Sequence, residues 1–249
     1  MQLVTQENVV AVILAGGEGT RLRPYTEIVP KPMFPIGCEE KPLLEHIICW
    51  LHKFGIKEFV LLVGYKWKQI RNYFGDGSRY GVSIRYSLDD EGYRGTGGAL
   101  LKAFKNGLFK DNTIIIWYGD IIAPINIYDL LSFHRNRKSD VTIVLADRYQ
   151  VPVGVARVGD DDSVVELVEK PWLNLYVSIG VIVLESQILN NVEDSLGKSF
   201  DIMGDLVPWI IKRGYKVKAY IHRGVWYDVG SLERYVKINY DAIKQFLCE

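Results

Sequence analysis

Short runs in which nearly every position is apolar punctuate the chain. The first, VVAVI (Val9–Ile13), is β-branched and too short for a helix, so it reads as a strand buried on both faces. EFVLLVG (Glu58–Gly64) and TIIIWYGD (Thr113–Asp120) repeat the pattern, and VSIRYS (Val82–Ser87) alternates as a half-exposed strand does. Between them lie helical segments: Pro42–Phe54, with proline in its first turn and Gly55 as its stop; Lys66–Ser78, ending in Gly-Asp-Gly; and Gly97–Asn106. This βαβαβ rhythm predicts a Rossmann-like, doubly wound α/β fold with a mostly parallel sheet. Beyond a helix at Tyr128–Arg137 the texture changes. VTIVLA, GVARVG, SVVELVE and YVSIGVIVLE are strands separated by turns, so the second half is mixed and partly antiparallel. A helix over Gly204–Lys212, strands KVKAYI and WYDVG, and one helix from Ser231, a good N-cap, to Cys248 complete the pattern. The prolines of RPYTEIVPKPMFPIG (Arg23–Gly37) predict an extended surface segment. No linker, repeat or low-complexity run interrupts 1–249, which reads as a single domain.

Composition narrows the choices. At 48% hydrophobic and 24% charged, the chain has the make-up of a soluble globular protein. Lys+Arg and Asp+Glu balance at 30 each, so no net field favours nucleic acid or an anionic membrane. No apolar run approaches the roughly 18 residues of a membrane span. The start, MQLVTQENVV, lacks the marks of a signal peptide, and the cytoplasm is the expected location. Cys38, Cys49 and Cys248 are an odd, scattered set, which predicts reduced thiols rather than a disulfide. HIICWLH has a metal-like look, but on a helix His46 and His52 diverge by about 120°, and the surrounding leucines and isoleucines mark core.

The chemistry gathers where strands end. LAGGEGTRLRP (Leu14–Pro24) follows the first strand, where glycines let backbone approach a ligand and turn N–H groups toward an anion. It is neither a Walker loop, since Thr20 and Arg21 follow Gly19, nor a dinucleotide fingerprint, since Leu22 stands where the third glycine belongs. Asp120 closes an apolar strand and is a candidate Mg²⁺ ligand, because Mg²⁺ on phosphates takes one or two protein carboxylates. Three further clusters are GYRGTGGAL (Gly92–Leu100), a glycine turn opening a helix, EKP (Glu169–Pro171) and WYDVGS (Trp226–Ser231). Singly, each has an ordinary explanation as a helix entry, a solvated ion pair or a turn.

Together, and in this order, they resemble the sugar-1-phosphate nucleotidyltransferases. LAGGxGTRLxPxT is matched in full by Leu14–Thr26, then PKPM at Pro30–Met33, GTGGA, a strand ending in Gly-Asp, EKP and DVGS; the likeness runs from Val9 to about Tyr235. The resemblance implies a nucleotide-binding half at about 1–125 and a sugar-binding half at about 126–249. It implies that Leu14, Ala15, Gly16, Gly17, Gly19, Thr20, Gly95 and Thr96 bind the nucleotide. Arg21 and Lys31 would neutralise the reacting phosphates. Asp120 and Asp228 would hold Mg²⁺, and Gly154, Glu169, Lys170 and Gly180 would meet the sugar phosphate. The implied partners are a nucleoside triphosphate and a sugar 1-phosphate, with a homo-oligomer allowed.

The physics suits that chemistry. A phosphate monoester with a second pKa near 6 is already anionic at neutral pH, so no general base is needed. Positioning and charge neutralisation must carry catalysis. Two departures from the family pattern bear on the pocket: Tyr118 precedes Gly-Asp, and Ser178 stands two residues before Gly180, where asparagine is common. The resemblance places the reading of the base near LDDEGYR, where Asp90 is the candidate, since a carboxylate can accept both donors of guanine's pairing edge; the alternative is three solvated acids on a loop. This favours GTP with mannose 1-phosphate over TTP or UTP with glucose 1-phosphate. A catalytically silent nucleotide-sugar-binding subunit remains the rival class.

Overall fold

The computed structural model describes residues 8–248; the leader reading at the N-terminus rests largely on residues outside them. Its frame is a sheet of seven strands among these residues. β1 (Val9–Ala15) pairs in parallel with β2 (Glu58–Val63) on one side and with β4 (Thr113–Tyr118) on the other; β2 pairs in parallel with β3 (Ser83–Leu88). Helices α1 (Leu43–Lys53), α2 (Trp67–Phe74) and α3 (Gly95–Lys105) make the connections. Strand order therefore reverses at β1. The gap between β1 and β4 is the switch point at which open α/β sheets bind ligands.

Beyond β4 the sheet is mixed. After β5 (Ile121–Ile122) and α4 (Ile127–Asn136) comes β6 (Val141–Ala146), then an exposed ribbon of β7 (Val155–Val158) and β8 (Val164–Val168). β9 (Val177–Glu185) runs antiparallel to both β4 and β6, and β10 (Val217–His222) closes the edge parallel to β6. One reversed strand thus accounts for the mixed half.

The strands are apolar throughout because both faces are covered. Val9, Ala11, Ile13 and Ala15 of β1 pack toward α1, α2 and α4, while Val10 and Val12 face α3, Phe200 and α5 (Val207–Lys212). At roughly 1.5–3 kcal/mol per buried large aliphatic side chain, this two-sided burial fixes the sheet and the loops at its carboxyl edge.

Three expectations need correction. The proline-rich segment is not extended: it folds into single 3₁₀ turns at Tyr25–Glu27 and Lys31–Met33, after another at Thr20–Leu22, because proline is compatible with a tight first turn. The C-terminal helix breaks into α6 (Leu232–Tyr235), α7 (Tyr240–Ile243) and a 3₁₀ turn at Lys244–Phe246. Ser231 caps α6 as expected, but the Asn239 side chain accepts from the Ala242 N–H and starts a new helix where the old one would continue. Cys49 and Cys248 are not reduced thiols; they form a disulfide with Cα atoms 6.1 Å apart, leaving Cys38 free and exposed. A separation of 199 residues carries no signal in spacing. The bridge exists because the C-terminal segment folds back onto α1, and Lys41 Nζ donates to Cys248 O at 3.0 Å beside it. Among the described residues no helix is long and apolar enough to cross a membrane.

Candidate active site

The carboxyl ends of β1, β2 and β4 open into a cavity of about 470 Å³. Its floor is the glycine loop, with Leu14, Ala15, Gly16 and Gly17, and its walls include Lys31, Gly95, Thr96, Tyr118 and Asp120. Gly119 lets the two strand ends touch: its N–H donates to Leu14 O at 2.9 Å, and a Cβ there would stand 2.6 Å from that oxygen. The same contact aims Asp120 across the loop. Tyr118, the unusual residue before Gly-Asp, does stand in the wall, and burial pushes its hydroxyl up to about 12.

Lys31 and Asp120 form an ion pair, each side chain 17% exposed. Lys31 reaches it from the 3₁₀ turn Lys31–Met33, which positions the ammonium inside the fold rather than on a surface strand. β11 (Tyr227–Asp228) pairs antiparallel with β5, and the Val229 N–H donates to Asp120 O at 2.8 Å. This two-stranded ribbon brings the two aspartates of distant motifs together. Burial, and then the Asp120 carboxylate, raise Asp228 above the usual carboxylate range, against the lowering charges of Arg234, Lys31 and Arg21. Arg21 is exposed on the loop, with its guanidinium beside Gly230. Gly19, in the left-handed region at φ 65°, and Thr20 shape this turn outside the cavity lining, and the Thr26 hydroxyl donates to Gly19 O.

The residues fit a magnesium ion. Asp228 Oδ1 is buried and has no hydrogen-bond partner among the described residues. A Cβ on Gly230 would stand 2.6 Å from it, so only glycine lets the chain pass this close without covering that oxygen with a side chain. Carboxylate oxygens are the hard donors Mg²⁺ prefers, and two of them suffice when substrate phosphates supply the rest. Among the described residues no group of three or more His, Cys, Asp or Glu side chains forms an all-protein cage.

A second cavity, about 510 Å³, lies beyond Asp228 and is lined by Lys170, Trp172, Trp226, Arg234 and Lys237 among others. Glu169 and Lys170 form an exposed ion pair at 3.7 Å, and Glu169 lies against Gly154 at the rim rather than in the lining. Gly180, at φ 77°, packs on Tyr118 and Ile121, between strand and ribbon.

The acidic run is sorted differently from expectation. Asp89, not Asp90, lines the first cavity, and burial raises its carboxyl. Asp90 turns away: it pairs with Lys102 at 2.5 Å and accepts from the Gly92 and Tyr93 N–H groups. The alternation of side chains past β3 could have separated the two. Asp201 was not singled out from sequence. It lines the cavity and its Oδ1 accepts from both the N–H and the hydroxyl of Thr96 at 3.0 Å, while Phe200 O accepts from Gly97 and Gly98. Its only local signal is an aspartate opening a helical turn.

Known proteins are similar to this chain in sequence and fold. The chain is 29% identical to a UTP–glucose-1-phosphate uridylyltransferase of Synechocystis sp. over 90% of its length, 61% of the relative's. It is 31% identical to a mannose-1-phosphate guanylyltransferase of Mycobacterium tuberculosis, covering 94% of this chain and 64% of that one. The chain thus spans under two thirds of these two proteins. A D-glycero-alpha-D-manno-heptose 1-phosphate guanylyltransferase of Aneurinibacillus thermoaerophilus, 32% identical, is matched over 91% of this chain and 95% of its own. A crystal structure from Bacillus anthracis shares the fold at a TM-score of 0.75 and 24% identity, covering 94% of this chain and 95% of that one. The family profile described as nucleotidyl transferase matches residues 10–245, so the chain belongs to the nucleotidyl transferase family.

Proposed function

We propose that the protein joins a nucleoside triphosphate to a sugar 1-phosphate, releasing pyrophosphate. One observation carries this reading: beside a glycine-floored cavity at the sheet's switch point, Asp120, paired with Lys31, lies close to Asp228, whose buried Oδ1 has no hydrogen-bond partner among the described residues. That is a site for a polyanion and a cation. The glycine loop would cradle the triphosphate with backbone N–H groups, and Asp120 and Asp228 would hold Mg²⁺. When bound, the ion supplies charge neutralisation across phosphate oxygens. The sugar phosphate, entering from the second cavity past Lys170, is an anion and needs no base. Lys31 and Arg21 would screen the repulsion between nucleophile and triphosphate as the oxygen approaches the α-phosphorus in line.

For the base we propose guanine, with a manno-configured sugar. Asp89 replaces Asp90 as the candidate reader, since it faces the cavity and an ionised carboxylate there could accept from both donors of guanine's pairing edge. The two guanylyltransferases among the relatives support this reading, while the uridylyltransferase among them keeps the uridine alternative in view. The test is pyrophosphate release from a panel of nucleoside triphosphates and sugar 1-phosphates, repeated with Asp89→Asn. A charged hydrogen bond of about 1.5–3 kcal/mol predicts a roughly ten- to hundredfold fall in the GTP:TTP efficiency ratio. A wild-type preference for TTP, or an unmoved ratio, removes Asp89 from base selection.

A further inference from the structure

The two oxygens of Asp228 differ. Oδ1 is buried and unpartnered among the described residues, whereas Oδ2 accepts from Arg234 Nη1. Arg234 belongs to α6, six residues on, and its backbone N–H is held by the Ser231 cap. Its side chain is 42% exposed and lines the second cavity with Lys170 and Lys237. Lys31, the partner of Asp120, is only 17% exposed. So one of the two carboxylates has a cation locked in the fold, and the other has one with room to swing into open space.

A divalent ion taken up at Oδ1 would share one carboxylate with a guanidinium at Oδ2. The two cations repel, strongly so in a half-buried setting where water screens little. The guanidinium is the movable partner. We propose that Arg234 is an exchangeable counter-cation: it occupies Asp228 until a divalent ion arrives, and the displaced guanidinium then binds the phosphate of the sugar 1-phosphate in the second cavity. This rests on the proposed metal role of Asp228. It couples metal uptake to the acceptor side of the site, because the planar guanidinium fork becomes available to an anion only when the metal has replaced it.

The measurement is Mn²⁺ binding without nucleotide, followed by the paramagnetic resonance of free Mn²⁺, in wild type, Arg234→Gln, Arg234→Lys and Asp228→Asn. Removing a competing charge predicts about tenfold tighter Mn²⁺ binding in Arg234→Gln. Arg234→Lys, which keeps the charge, stays near wild type. Calorimetric titration of mannose 1-phosphate and glucose 1-phosphate at saturating Mn²⁺ is expected to show at least tenfold weaker binding in Arg234→Gln for whichever compound wild type binds. Unchanged or weaker Mn²⁺ binding in Arg234→Gln, with Asp228→Asn losing it, overturns the exchange and leaves the metal site standing. Wild-type Mn²⁺ binding indifferent to Asp228→Asn overturns both. Sugar phosphate binding unaffected by Arg234→Gln, or absent from wild type, overturns the second half of the exchange.

Discussion

Asp228, proposed to hold the metal, is held in a state that costs the fold stability. Burial and the Asp120 charge together outweigh three nearby cations, so its carboxyl titrates above its ordinary range. The sign follows directly. A raised carboxylate contributes stability in its protonated form, below the unfolded value near 3.9, and that contribution is lost as pH rises through the folded value. At neutral pH the charged group is a net cost to the fold. Asp228→Asn should therefore melt no lower than wild type at pH 7 while Mg²⁺-dependent turnover falls by about 10²-fold or more, since several kcal/mol of charge stabilisation are removed. A variant that melts lower at pH 7 and keeps its rate at limiting Mg²⁺ would make Asp228 a structural residue. Lys31 is the complementary case. In the proposed reaction its charge would act where negative charge crowds, so Lys31→Ala should depress kcat about 10²–10³-fold with a smaller change in the KM for either substrate. A raised KM at constant kcat would reduce Lys31 to ground-state binding.

At the scale of elements, α3 shows how a glycine motif serves packing and site at once. The ring of Phe200 lies where a Cβ on Gly97 would stand, and the Gly97 N–H donates to Phe200 O at 2.9 Å. The close approach of this segment sets Asp201 against Thr96 at the cavity wall. Gly97→Ala must push the aromatic ring out of a filled core, at about 1–3 kcal/mol. The check is a chemical-denaturation midpoint, with a drop expected alongside loss of nucleotide affinity; an unmoved midpoint would mean the segment yields freely. Such elements were only half legible in the sequence. Strands β1, β2 and β4 announce themselves because two covered faces demand unbroken apolar runs. Glycine and proline mark where α1 and α2 begin or stop. What stayed hidden depends on contacts made across long separations: the Phe200–Asp201 wall, and the turn of Asp90 away from the cavity toward Lys102. The C-terminal helix breaks for a local reason, because Asn239 competes for backbone N–H groups within an otherwise helical pattern.

At the scale of the whole molecule, the last segment of the chain braces the loop that carries Lys31. Tyr235 lies edge-on to Phe34 and its hydroxyl donates to Pro35 O at 2.5 Å. His46, buried in α1, joins the two: Nε2 donates to Ile36 O at 3.0 Å, and Nδ1 accepts from the Cys248 N–H at 2.9 Å. That arrangement needs a neutral ring, in keeping with burial lowering the His46 pKa. The Cys49–Cys248 disulfide ties this bundle shut. A bridge across 199 residues restricts the unfolded chain far more than the folded one, which predicts about 2–4 kcal/mol of stabilisation. In a domain of this size that corresponds to roughly 5–15 °C in Tm. Oxidised wild type should lose this margin on treatment with dithiothreitol. Cys49→Ser should melt at the reduced value with or without the reagent, while Cys38→Ser keeps the full oxidised margin. Identical melting of oxidised and reduced wild type would show that the apolar packing of Phe246 against Trp50 and Trp117, not the covalent tie, holds the C-terminal segment in place.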